Sequence, residues 1–260
     1  MRTTTTSMLA VAVMAGTVFA TGAGDVNGLD DAPRLFNDFS GSNLTLNSNW
    51  TAGVGNVSIV ENNYGAGGFA NKHISFFADA PAGNRVDFDY GDGFDAMMTL
   101  QVNGADNVGN LETGFNSDLF GFGLFGVLTA NGEIAAFGGT MPFHTFGPGV
   151  YNVGDEVMLN MIYTPGAGEN MMPASTIEYR YNNLTTGSGW VSSGLVSFGN
   201  TEGGWPSAFT QTFGVGAQIN NPDAVNGAVD VDFRNITIIP APASAALLGL
   251  AGIAGVRRRR

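Results

Sequence analysis

Apolar and polar residues alternate with a period of two along several segments of this chain. Ile177, Tyr179 and Tyr181 share one face while Thr176, Glu178 and Arg180 share the other, which is the signature of a half-buried strand. Val157, Leu159, Met161 and Tyr163 repeat the pattern after a turn at Gly154-Asp155. Phe120 to Thr129 and Glu133 to Phe137 flank Asn131-Gly132, a dipeptide whose tolerance of positive φ predicts a tight hairpin. Val57–Val60, His73–Phe77, Arg85–Tyr90, Met97–Val102, Trp190–Phe198 and Phe209–Ala217 read as further strands, giving about ten to thirteen in all. No segment between the chain ends has the 3.6-residue period of an amphipathic helix.

The last of these segments changes parity partway. Val229, Val231 and Phe233 oppose Asp230, Asp232 and Arg234, but the apolar positions then become Ile236 and Ile238. A bulge near Arg234-Asn235 reconciles the two halves. Antiparallel strands joined by Gly/Asn/Pro loops predict an all-β, two-sheet β-sandwich of the jelly-roll kind. A β-helix or a propeller is the alternative, and the absence of an internal repeat counts against both. The ending Asp232-Phe233-Arg234-Asn235-Ile236-Thr237-Ile238 resembles the closing strand of concanavalin A-like or laminin-G-like jelly rolls.

Both ends depart from this pattern. Arg2 precedes an apolar run from Met8 to Phe19, with small residues at Ala20 and Ala23. This predicts a signal peptide over residues 1–23, cleaved after Ala20 or Ala23, with a permanent signal anchor as the alternative. At the other end Pro240-Ala241-Pro242 precedes an apolar run, Ala243 to Val256, and four arginines, Arg257, Arg258, Arg259 and Arg260. As helix the run is about 21 to 24 Å long, short against a hydrocarbon core of about 30 Å but enough to insert. The arginines would hold the terminus on the cytoplasmic side and leave the rest outside.

A proline motif, an apolar Gly/Ala/Leu span and an arginine cluster in that order resemble the sorting tail of bacterial PEP-CTERM proteins. Ala241 stands where that family's name has glutamate. The resemblance implies an exosortase-like transpeptidase or protease as partner, transient insertion of the tail in the inner membrane, and delivery to the cell surface or extracellular matrix. Residues 240–260 are the expected sorting signal, with an ordinary one-span anchor as the alternative. Residues 24–239 are the expected β-sandwich domain.

Charge narrows the partners of that domain. The chain carries 22 acidic and 10 basic residues, and five of the basic ones belong to the two ends, so the body has a net charge of about −17. Nucleic acid and anionic lipid need clustered Lys and Arg and are poor partners for such a surface, and no nucleic-acid partner is expected. Neutral polymers and cations are not excluded. Cysteine is absent, so no disulfide supports the fold.

Candidate chemistry is sparse. Asp87, Asp89, Asp92 and Asp95 lie within nine residues interrupted by glycines, and such a run suits the oxygen-rich shell of Ca²⁺. Its register is not that of an EF-hand, and a strand with Asp87 and Asp89 facing solvent explains it as well. Asp223, Asp230 and Asp232 form a second acidic group: alternation accounts for Asp230 and Asp232, and Asp223 follows Pro222 in a turn. No cofactor is expected beyond this possible Ca²⁺. The Glu-x-Asp-x-x-Glu strand motif of laminarinase-like hydrolases is absent, so the carboxylate pair of a glycosidase is not evident. Only His73 and His144 are available as imidazole bases, and no Gly-x-Ser-x-Gly elbow occurs. The expectation is a non-enzymatic structural or adhesive protein. The alternative is a lectin-like module binding extracellular polysaccharide through Trp205, held on a Gly203-Gly204-Trp205-Pro206 loop, with Trp50 and Trp190 in the core. A glycoside hydrolase is the third reading.

Overall fold

The computed structural model describes residues 22–36, 44–64, 71–89, 91–106, 110–117, 123–138, 141–166, 175–198, 212–219 and 227–240. The expected signal peptide up to residue 21, Trp205, Asp223 and the tail after Pro240 lie outside the described residues.

The described residues form two antiparallel seven-stranded sheets packed as a jelly-roll sandwich. The first sheet runs β1 (Gly28–Phe36), β4 (Asn71–Ala78), β13 (Phe213–Ile219), β6 (Leu111–Ser117), β7 (Leu124–Leu128), β8 (Glu133–Phe137) and β9 (His144–Thr145). The second runs β2 (Thr45–Thr51), β3 (Val54–Tyr64), β14 (Gly227–Pro240), β5 (Phe94–Asp106), β10 (Glu156–Thr164), β11 (Thr176–Asn183) and β12 (Val191–Ser197). The late strands β13 and β14 each return to a position between two early ones. Folding therefore closes both sheets with residues far apart in the chain, which is costly in loop entropy and repaid by the core.

That core is aromatic. The Phe213 ring meets Phe77 at 4.9 Å, Phe88 at 4.7 Å and Phe94 at 5.1 Å between centroids. Because Phe94 belongs to the second sheet, this cluster ties the two layers together. Phe125 and Tyr179 make a similar bridge at 4.9 Å. Offset and edge contacts of this kind add to the area each ring buries.

Glycine sets the approach of the central strands in the first sheet. Gly216 pairs with Gly114, and Gly114 with Gly126. A Cβ on Gly126 would lie 2.0 Å from the Thr113 carbonyl oxygen, so no larger residue fits there.

Most expected strands are present, with three corrections. The parity change in β14 is a bulge: Asn235 has φ 53°, and Phe233 and Ile236 on either side of it are both buried. The Asn131-Gly132 hairpin joins β7 and β8 through a turn over 129–132, longer than the two-residue turn of an ideal hairpin, with Gly132 at φ 67°. Of the strand expected over Arg85–Tyr90, residues 85–89 do not form one, and Tyr90 lies outside the described residues. Arg85 makes an isolated bridge to Ala78, the Val86 N–H donates to the Phe77 carbonyl at 2.9 Å, and Val86 and Phe88 are buried in the core. Trp190, expected in the core, is 49% exposed, because it stands just ahead of the edge strand β12 after the Gly187 and Gly189 turns.

Candidate functional site

The first sheet ends in β1 and the second in β2, and these two edges face each other on one side of the sandwich. Between them lies a cavity of about 280 Å³ lined by Leu29, Asp30, Asp31, Ser48, Asn49, Trp50, Pro81 and Ala82. Its size is near the lower bound of small-ligand sites, about 300 Å³.

Strand parity decides which groups enter. In β2, Leu46, Ser48 and Trp50 are half-buried while the residues between them are exposed. Trp50 pairs with Gly55 of β3, and a Cβ at Gly55 would fall 2.6 Å from Cε3 of the indole. The missing side chain lets the ring lie on the β3 backbone, and its edge contact with Phe77 at 6.2 Å anchors it to the core. Trp50 is thus a core-supported residue, as its sequence context suggested, that also lines an open cavity.

In β1, Leu29 is buried and Asp31 follows on the same face. The Asp31 carboxylate accepts a hydrogen bond from Ser48 Oγ of β2 at 2.9 Å and another from the buried Ser75 Oγ of β4. One carboxylate therefore joins the edges of the two sheets. Asp30 points the other way and pairs with Arg85, Nε to Oδ2 2.8 Å. The Arg85 guanidinium also lies 3.9 Å from the Phe76 ring centroid, a stacked arrangement that fixes its direction.

A turn after β4 supplies the rim. Asp79 accepts from the Asn84 backbone N–H at 2.8 Å and from its Nδ2 at 3.1 Å, and the Ala82 N–H donates to the Leu29 carbonyl at 2.9 Å. These bonds hold Pro81 and Ala82 over β1. The indole, the Asp31 carboxylate and the Ser48 hydroxyl come together at a cavity whose lining is drawn from segments about 20 and 50 residues apart along the chain. Such a mixture of apolar surface and fixed polar groups suits a polyhydroxylated ligand.

The aspartates considered as Ca²⁺ ligands, Asp87, Asp89, Asp92 and Asp95, are divided between different elements and partners. Asp92 Oδ2 accepts the Asp89 N–H at 2.7 Å, and burial pushes the Asp92 carboxyl up, against that hydrogen bond and with the charges of Asp89, Asp25 and Asp87 adding. Asp95 lies in β5 and accepts from Asn160 Nδ2 at 2.5 Å. Among the described residues, no three His, Asp or Glu side chains are arranged to hold a metal. Asp230 and Asp232 sit on the outer face of β14, where Asn103 Nδ2 donates to both at 3.1 and 3.0 Å.

The two histidines are apart. His73 is fully buried in β4. His144 packs edge-on to Phe146 at 4.6 Å and parallel to Tyr179 at 6.5 Å, and burial lowers its pKa. Glu178 is chelated by Arg180 at 2.8 and 2.7 Å, and Glu156 pairs with Arg234 at 3.2 Å. Of the sorting residues, Pro240 is described: it ends β14 opposite Phe94 and is exposed. Ala241, Pro242 and Arg257 to Arg260 lie outside the described residues, as does Trp205.

No family model and no curated protein matches the chain. Among solved structures it is similar to the carbohydrate recognition domain of Emp47p, with a TM-score of 0.39 and 12% identity over 87% of this chain and 100% of that one. It is similar to the seed lectin of Lotus tetragonolobus, with a TM-score of 0.40 and 10% identity over 82% of this chain and 99% of that one. It is also similar to alginate lyase vAL-1 from Chlorella virus, with a TM-score of 0.44 and 8% identity over 84% of this chain and 94% of that one.

Proposed function

We propose that this chain is an exported β-sandwich that binds polysaccharide at the cell surface or in the extracellular matrix, using the cleft between β1 and β2. The observation that carries this reading is the indole of Trp50 sharing one small cavity with Asp30, Asp31, Ser48 and Asn49. Sugars present apolar C–H faces and equatorial hydroxyls together, and an aromatic ring beside fixed acceptors and donors meets both needs. The acidic body favours neutral or cationic polymers over nucleic acid and polyuronates. Export and sorting belong to the same proposal and rest on the sequence. The signal peptide sends the chain out of the cytoplasm, and the Pro240-Ala241-Pro242 motif, apolar span and Arg257 to Arg260 address it to an exosortase-like enzyme.

A glycan array probed with the intact protein and with Trp50→Ala tests the binding. Signal lost in the variant, with unchanged circular dichroism and melting behaviour within a few degrees, supports the reading. An array without signal, or signal that survives Trp50→Ala and disappears with Trp205→Ala, overturns the assignment to this cleft. For sorting, intact mass of the protein from hosts with and without the sorting enzyme is decisive: removal of the segment after about Pro240 only in its presence is expected.

A further inference from the structure

The two adjacent carboxylates of β1 are not equivalent. Asp30 is already matched by the Arg85 guanidinium at 2.8 Å. Asp31 meets hydroxyl donors, Ser48 at 2.9 Å and Ser75. A carboxylate offers about four lone-pair positions, so two hydroxyl bonds leave Asp31 with acceptor capacity and an unneutralised charge on an exposed group. Among the described residues, no lysine or arginine lines the cavity. Beside Leu29, Pro81 and Ala82, the wall includes the Trp50 indole, and an indole's electron-rich face attracts positive charge.

A site with an aromatic ring, a carboxylate lacking a counter-ion and no cation of its own is complementary to an ammonium group on an otherwise neutral, hydroxyl-rich molecule. We infer that the cleft selects glycans bearing a free amine, a de-N-acetylated hexosamine unit seated with its ammonium against Asp31 and Trp50. This inference rests on the glycan-binding reading and specifies its ligand class. N-acetylation removes the charge and adds bulk to a cavity of only about 280 Å³. A uronate would bring a second negative charge to Asp31. Both are disfavoured for stated physical reasons, so the preference is not one for sugars in general.

The experiment is calorimetric titration of the intact exported protein at pH 6 with a β-1,4-linked glucosamine tetramer and with its fully N-acetylated counterpart, repeated at low and high salt. The amine-bearing tetramer is expected to bind about ten-fold more tightly at low salt, with the advantage shrinking as salt screens the charge. Asp31→Asn, which keeps an acceptor for one of the two serine hydroxyls and presents its NH2 to the oxygen of the other, is expected to bring the two affinities within about two-fold by weakening only the amine-bearing ligand. Equal affinities in the unaltered protein overturn the amine preference and leave glycan binding standing. Binding of neither tetramer, together with a blank array, removes glycan binding and the inference with it. The salt series needs no variant, so a poorly folded Asp31→Asn does not decide the matter.

Discussion

The indole of Trp50 lies where the side chain of Gly55 would be, with Cε3 only 2.6 Å from the position of a Cβ on residue 55. A side chain there must displace the ring from the cleft wall, since the β3 backbone cannot move without breaking its ladder with β14. Gly55→Val is expected to cost about 1 to 3 kcal/mol in urea denaturation and to abolish glycan binding at temperatures where the variant remains folded. Retained binding with normal affinity would show that the ring's position against β3 does not shape the site.

The hairpin that presents Trp50 carries local strain. Thr51 pairs with Val54 across a two-residue loop in which Ala52 has φ 53° and Gly53 has φ 83°. Alanine in the left-handed region costs about 1 kcal/mol relative to residues that tolerate it, and Asn-Gly is favoured in this turn type. Ala52→Asn is expected to stabilise the protein by about 0.5 to 1 kcal/mol, read as a higher urea midpoint with unchanged slope.

Acid and base stability pull in opposite directions at two carboxyls. For Asp92, burial raises the pKa above the ordinary 3.8, with the charges of Asp89, Asp25 and Asp87 adding. The folded state therefore holds the proton more tightly, and the stability so gained is complete below about pH 3.8 and lost as pH rises through the raised folded value. Asp92→Asn, which retains an acceptor for the Asp89 N–H, is expected to be more stable than the unaltered protein at pH 7, an advantage that vanishes on acidification. For Glu178, the Arg180 guanidinium hydrogen bond holds the carboxyl below its ordinary 4.5. That contribution is present above pH 4.5 and lost as pH falls through the lowered value, so Glu178→Gln is less stable at pH 7 and converges on the parent in acid. Urea midpoints across a pH series measure both.

These contrasts also explain what the sequence made legible. β10, β11 and β14 each have one buried and one largely half-buried face, and their alternation marked them, down to the bulge at Asn235. β6 was not marked because all seven of its residues are buried, with Glu112, Thr113, Asn116 and Ser117 among them, so burial does not follow polarity there. β1 was hidden by the adjacent Asp30-Asp31 and by Pro33. The site was still less visible. Its residues come from 29–31, 48–50 and 81–82, and only the pairing of two sheet edges brings them together. One signal pointed there: Leu46, Ser48 and Trp50 alternate, and Gly55 follows the turn at the distance that places it opposite the indole.

With three tryptophans in the chain, the cleft is open to a direct spectroscopic measurement. Indole N–H resonances in a ¹⁵N–¹H correlation spectrum, assigned by single Trp→Phe variants, are followed while the glucosamine tetramer is added. The predicted result is a saturable shift of the Trp50 resonance, with Trp190 and Trp205 unmoved. A saturable shift confined to Trp205 or Trp190, or no shift at a concentration where calorimetry detects binding, would contradict the placement of the binding site between β1 and β2.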